Sequence, residues 1–317
     1  MQRREAFYSS TEEAFIVIRI TSPATSANLG SGFDVFALAL SSPADEMSFR
    51  EIEDGVRIVA EGYPIPASAE ENIAGYVAIR ILSAKGIDSG VEISIKKRIR
   101  PKSGLGSSAA SAAGAAYGLN ELFELNMDRE ELIRFSMLGE SRFSGAEHAD
   151  NVSACLCGGF TCVSYSPLKA VSLPLPEFLE YAVVLPEVEV ETRAARSALP
   201  RSVALSSHVR NLGYAAFLIA GILTGDPDAI RTGMRDEIAT PVRSRYVPHF
   251  EELRSAAVKA GALGLAISGS GPACIALCDS SSGGGRYIAG IMKDFYRDRG
   301  IECVTYSGKP GDGCKLL

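Results

Sequence analysis

Residues 102–111 of the chain read KSGLGSSAAS, a run whose types and spacing are suited to holding an anion. Gly104 and Gly106 let the backbone curl, and the Ala-rich run that follows is helical, so several unpaired amide hydrogens converge on one spot. The helix dipole adds about half a positive charge there. Ser107 and Ser108 contribute hydroxyls, one of which could ligate a metal bound to phosphates. No Gly-Lys-Ser/Thr follows the loop, so a Walker A motif is excluded. Residues 104–109 satisfy the loose dinucleotide pattern Gly-x-Gly-x-x-Gly/Ala, but Glu121 and Glu124 sit in the same helix rather than at a later strand end, which weakens that reading. A purely structural reading stays open, in which these glycines and alanines only allow close packing.

Two further segments stand beside this one: SPATSANLGSGFDV at residues 22–35 and GLAISGSGPACIAL at residues 264–277. In order and spacing the three resemble the motifs of the GHMP kinases, a family of small-molecule kinases, from near one end of the chain to the other. Finer detail resembles the homoserine kinases within that family. HADNV followed by Gly158 and Gly159 is similar to their His-x-Asp-Asn-Val segment, and ETRAARSALP to their Thr-x-x-x-Arg-x-x-Leu-Pro. Two departures are Lys102, where a Gly is common, and Thr240-Pro241-Val242-Arg243, where Glu-Pro-Tyr-Arg is frequent.

The resemblance implies ATP and Mg2+, with L-homoserine as acceptor. The nucleotide phosphates would lie on Pro101, Lys102, Ser103, Gly104, Leu105, Gly106, Ser107, Ser108, Ala109, Ala110 and Ser111. Ser108 and Glu140 would hold the metal. Asn72 matches a position near the adenine pocket and equally suits the cap of the helix that begins there. For the acceptor, Asn28 and Asp34 would hold the amino end, Arg196 and Arg243 the carboxylate, and His148 with Asn151 would lie near the hydroxyl. Arg suits a carboxylate because its planar fork donates two parallel hydrogen bonds. Phosphoryl transfer passes through a loose transition state, so Asn151 orienting the hydroxyl suffices, with Asp150 as the rival that would act as a base. Residues 268–272, Ser-Gly-Ser-Gly-Pro, would support the loop or the pocket from the second half, or merely form a tight turn.

Elements must position these groups. Strands are expected at residues 14–20, 33–40 and 91–97, the last alternating apolar and polar residues. A helix spans residues 73–82 with Gly86 as its stop. The Ala- and Gly-rich helix after the loop must pack very closely on its neighbours. Helices follow at 129–139 and 148–156, then a strand at 160–165. The Pro-punctuated residues 167–176 are the expected linker, dividing the chain into domains 1–176 and 177–317. The second half alternates a strand at 181–185, helices at 209–223 and 250–260, strands flanking 268–272, a helix at 287–299 and a strand at 301–306. The fold class is α+β in two domains; the resemblance implies a nucleotide-binding domain like the second domain of ribosomal protein S5, followed by a ferredoxin-like one.

The chain's 317 residues suffice for two cores, and 46% hydrophobic with 22% charged residues excludes wholesale disorder or a fibrous repeat. A net charge of −6 argues against a polyanion-wrapping surface, so no nucleic-acid partner is expected. The uncharged stretches are too rich in Gly, Ser and Ala to span a membrane. Seven Cys without a Cys-x-x-Cys pair point to a reducing, cytoplasmic compartment. The first 15 residues read as a mobile lead-in, and a homodimer is the expected assembly.

Overall fold

A computed structural model describes residues 5–8, 14–144, 147–188 and 198–317. The first half is built on an eight-stranded sheet. Its main path runs β1 (Glu5–Tyr8), β2 (Ala14–Ala27), β3 (Phe36–Ile52), β5 (Gly90–Lys97) and β4 (Val56–Gly62). β3 is long enough to change partners, pairing β5 through residues 46–52 and β6 (Phe160–Tyr165) through residues 36–38. β7 (Leu168–Leu173) then pairs β6. The Pro-punctuated stretch is therefore no linker. Its prolines flank an edge strand, whose Ala170 is buried while Lys169 and Val171 face outward.

Helices α1 (Ile73–Lys85), α2 (Ser107–Leu122), α3 (Arg129–Ser144) and α4 (Asp150–Cys157) pack against this sheet, with α2 at the centre touching the other three. α2 is Gly- and Ala-rich because larger side chains have no room. A Cβ at Gly118 would stand 2.1 Å from the Phe49 ring, and one at Gly114 would stand 2.4 Å from Met47 Sδ. α1 ends as its sequence foretells, on Gly86 in the left-handed region (φ 63°).

The second half is a four-stranded antiparallel sheet in the order β11 (Cys303–Gly308), β8 (Leu179–Pro186), β10 (Cys274–Asp279), β9 (Gly264–Ile267). Helices α5 (Leu205–Thr224), α6 (Pro227–Gly233), α7 (Thr240–Arg243), α8 (Phe250–Lys259) and α9 (Gly284–Arg297) accompany it. Strand β8 is buried on both faces, so it reads as the apolar run YAVVL. Tyr181, Val183 and Leu185 point into the large core shared with the first half, while Ala182 and Val184 point into a second core under α8 and α9 with Phe250, Leu253, Met292 and Tyr296. β12 (Lys315–Leu316) returns to the first sheet and pairs β2. No helix among the described residues is long and apolar enough to cross a membrane.

Candidate active site

The glycine loop follows β5 and an intervening turn, and opens directly into α2. Gly106 caps the helix at φ 62° with no side-chain partner, so the first-turn amides are presented bare. Gly104 is required by what approaches it: at φ 82°, a Cβ there would lie 2.4 Å from Ser268 O and 2.9 Å from Gly271 O. The Ser-Gly-Ser-Gly-Pro turn does brace the loop. Ser268 Oγ donates to Gly104 O at 2.7 Å and Ala273 N to Ser103 O at 3.2 Å.

Beneath the loop lies a buried ion pair that the sequence reading passed over. Lys97 Nζ donates to Asp45 Oδ2 (2.5 Å), Ser107 O (2.7 Å) and Ser111 Oγ (2.9 Å). Asp45 Oδ1 accepts from the amides of Arg98 and Ile99 at 2.8 and 3.0 Å. Both side chains are buried to 2% exposure or less, yet nearly every polar atom has a partner, which is the condition for such a pair to persist. The signal was present in the sequence: alternation puts Lys97 on the same inward face as Ile93 and Ile95, where a charge needs a partner.

This network separates the serines by task. Ser107 Oγ donates to Ile99 O at 2.9 Å, Ser111 Oγ to Ser107 O at 3.3 Å, and Ser103 Oγ accepts from Leu105 N at 3.2 Å. Leu105, Ala109 and Ala110 are buried packing residues, whereas Lys102 is exposed and Pro101 half-buried. Ser108 instead hydrogen-bonds Glu140, whose carboxyl is pushed up to about 7 by burial; the Ser108 bond opposes that rise, and the nearby Asp150 carboxylate adds to it. A hydroxyl and a buried carboxylate at the start of α2 are hard oxygen donors of the kind a small divalent cation takes. Asn72 caps α1, accepting from Ala74 N at 2.9 Å and Gly75 N at 3.4 Å while donating to Pro66 O at 2.7 Å.

Across residues 28–34 the chain turns back on itself through two left-handed residues, Asn28 (φ 67°) and Asp34 (φ 58°). Asn28 Oδ1 accepts from Asp34 N at 2.9 Å and its Nδ2 donates to Gly269 O at 2.9 Å. Arg243 Nη1 donates to that same carbonyl at 2.7 Å, and its guanidinium lies 4.8 Å from the Phe33 ring centroid. His148 Nδ1 stands 3.6 Å from Asp34 Oδ1. Tyr165, unsuspected from sequence, ties this corner together by donating to Asp34 O at 2.8 Å and accepting from Ala149 N at 3.2 Å. Asn28, Asp34, His148 and Arg243 are thus brought together. Asn151 accepts from Thr25 Oγ1 at 2.7 Å, and Thr25 N in turn donates to Leu105 O of the loop at 3.1 Å. Arg196 lies outside the described residues.

The bare amides of the loop, the Ser108–Glu140 oxygen pair and a cluster with both an anion and a cation are therefore gathered around the turn at residues 268–271. Residues 72–159 match the family model described as GHMP kinases N terminal domain, and residues 218–294 match GHMP kinases C terminal. The chain belongs to the GHMP kinase family. This GHMP kinase is 40% identical over 303 residues to the homoserine kinase of Halorubrum lacusprofundi, covering 95% of this chain and 99% of that protein. It is likewise 40% identical to the homoserine kinase of Methanococcus maripaludis, with 94% and 97% covered. Among solved structures, homoserine kinase from Cytophaga hutchinsonii superposes with a TM-score of 0.89 at 38% identity, covering 99% of this chain and 100% of that one. L. major mevalonate kinase shares the fold alone, with a TM-score of 0.70 at 16% identity over 98% and 100% of the two chains. The two-domain α+β expectation holds.

Proposed function

We propose that this GHMP kinase is a homoserine kinase, transferring the γ-phosphate of ATP to the hydroxyl of L-homoserine to give O-phospho-L-homoserine, a step of threonine biosynthesis. The observation that carries the reading is the end-to-end 40% identity to proteins of that name. The acceptor corner agrees with it, since homoserine needs an anion for its ammonium (Asp34) and a cation for its carboxylate (Arg243, with Arg196). In the reaction the hydroxyl oxygen bonds to Pγ as the bond from Pγ to the β–γ bridging oxygen breaks. ADP leaves with that electron pair and the hydroxyl proton passes to a phosphate oxygen. Amides of residues 104–108 take up charge on the phosphoryl oxygens, while Asn151 orients the hydroxyl. Ser108 and Glu140 would hold Mg2+, which when bound neutralises charge on the β- and γ-phosphates.

Assayed by ADP release with homoserine, shikimate, mevalonate and galactose, the enzyme is expected to turn over homoserine selectively. Inactivity with homoserine alone would overturn the substrate and leave the kinase standing; no ATP turnover with any acceptor would favour a metabolite-sensing role.

A cytoplasmic setting is part of this reading, supported by seven free cysteines. So is a homodimer. Leu205, Val209, Leu212, Ala216, Ala220 and Leu223 form one exposed stripe along α5. Turned about its own midpoint, the stripe meets itself, Leu205 against Leu223, Val209 against Ala220 and Leu212 against Ala216, the same patch on both subunits as an isologous two-fold contact requires. Leu212→Glu should yield a monomer by light scattering.

A further inference from the structure

Thr25 lies at the register break between Pro23 and Thr25 in β2, and it is fully buried. Its backbone N donates to Leu105 O, in the phosphate loop, at 3.1 Å, and its hydroxyl reaches Asn151 Oδ1 at 2.7 Å. The contact sits directly beneath the loop. A Cβ placed on Gly106 would stand 2.0 Å from Thr25 Oγ1 and 3.0 Å from Asn151 Oδ1, so Gly106 must stay bare for the two side chains to meet.

The direction of these bonds follows from the donor inventory. Asp150 Oδ1 accepts from Asn151 N at 2.7 Å and from Asn151 Nδ2 at 3.3 Å. That Asp150 oxygen already accepts from a backbone N–H, which can only donate, so the Asn151 atom turned to it is the amide nitrogen, and the carbonyl oxygen then faces Thr25. Thr25 is therefore the donor. The Cys155 thiol, kept protonated by burial, gives its own hydrogen to Pro23 O at 3.3 Å, and sulfur is a weak competitor for the Thr25 proton. With its oxygen held by Thr25 and one amide hydrogen by Asp150, Asn151 has a single N–H left to offer the cleft.

We infer that Thr25 is a positioning residue for phosphoryl transfer: its hydroxyl locks the side-chain amide of Asn151 so that an N–H, not a carbonyl, meets the acceptor hydroxyl or the phosphoryl group. The inference rests on the placing of Asn151 beside the acceptor hydroxyl. It extends that placing in two respects. Asn151 is barred from taking the hydroxyl proton, and the acceptor-orienting group is coupled through one residue to the loop that holds the donor.

A kinetic double-mutant cycle separates this from a role in folding alone. Thr25→Val keeps the shape and removes the hydroxyl, and kcat with homoserine should fall at least about tenfold with KM for ATP within about twofold of wild type, because the loop amides are untouched. Thr25→Ser should restore kcat to within about threefold. Asn151→Ala should cost on the order of a hundredfold, and adding Thr25→Val to it should cost nothing more. Melting temperatures accompany each variant, and if Thr25→Val does not fold, Thr25→Ala enters the same cycle. Additive losses, a wild-type kcat for Thr25→Val, or a Thr25→Ser enzyme no better than Thr25→Val would each overturn the inference while leaving Asn151 in place. A wild-type kcat for Asn151→Ala would remove both.

Discussion

The two sides of the proposed site are built on different principles. In the proposed reading the donor wall, residues 103–111, would meet the phosphates with main-chain amides, while most of its side chains lie underneath, where Ser107, Ser111, Lys97 and Asp45 bond one another. The proposed acceptor wall would instead meet its ligand with side chains, namely Asp34, His148 and Arg243, carried by a left-handed turn and a loop that Tyr165 and Gly269 tie together. Every nucleoside triphosphate presents the same phosphate oxygens, so a fixed set of amides serves for the donor. Acceptors differ in charge and shape, so selectivity falls to side chains that can be exchanged. Substitutions on the first wall should act through backbone shape and stability, and those on the second through substrate choice.

The largest effect is expected at Gly104. In Gly104→Ala the new methyl meets Ser268 O and Gly271 O, the loop shifts, and kcat/KM for ATP should drop on the order of a thousandfold. Steady-state kinetics at saturating homoserine check this, and a near-normal value would deny the loop its shape requirement. Lys97→Met comes next. It leaves Asp45 buried beside two backbone amides without its cation, and urea unfolding should show a loss of about 3–5 kcal/mol. Restoring most of that loss in the Asp45→Asn, Lys97→Met double variant would sharpen the view that the pair exists to shape the start of α2.

On the acceptor wall, Asp34→Asn removes a charge without removing volume. KM for homoserine should rise roughly tenfold or more while KM for ATP stays put. Equal changes in both constants would erase the distinction between the walls. The smallest effect concerns Glu140 in metal-free protein. Its carboxyl rises from 4.5 to about 7 because burial disfavours the charged form, so the folded state holds the proton more tightly than the unfolded one. Stability therefore declines as pH rises through that window and stays lowered above it. In the presence of chelator, Glu140→Gln should melt above wild type at pH 8 and lose that advantage near pH 5.

Legibility from sequence followed the same division. The donor loop and α2 could be read because glycine and alanine runs have few uses, and the structure shows neighbours that forbid anything larger at Gly114 and Gly118. The acceptor residues were legible only through resemblance, Asn28 and Asp34 in the first motif and His148, Asn151 and Arg243 in the finer subfamily segments, since nothing local in Asp34 or Arg243 announces a role. What escaped was tertiary. Lys97 reads as the polar end of a strand, Thr25 carries no local signal beyond its place in the first motif, and Tyr165 reads as the last residue of a strand, because their partners lie 52, 126 and 131 residues away. β7 escaped because its flanking prolines suggested a break where they mark the ends of an edge strand. α6 and α7 are short, and their seven and four residues give too little periodicity to read.

A crystal structure with a nonhydrolysable ATP analogue and homoserine would test the division of labour between the two walls. The account predicts the terminal phosphate against the amides of residues 104–108, with the homoserine hydroxyl beside Asn151 and its ammonium at Asp34. A terminal phosphate bound elsewhere, or homoserine seated away from Asp34 and Arg243, would contradict it.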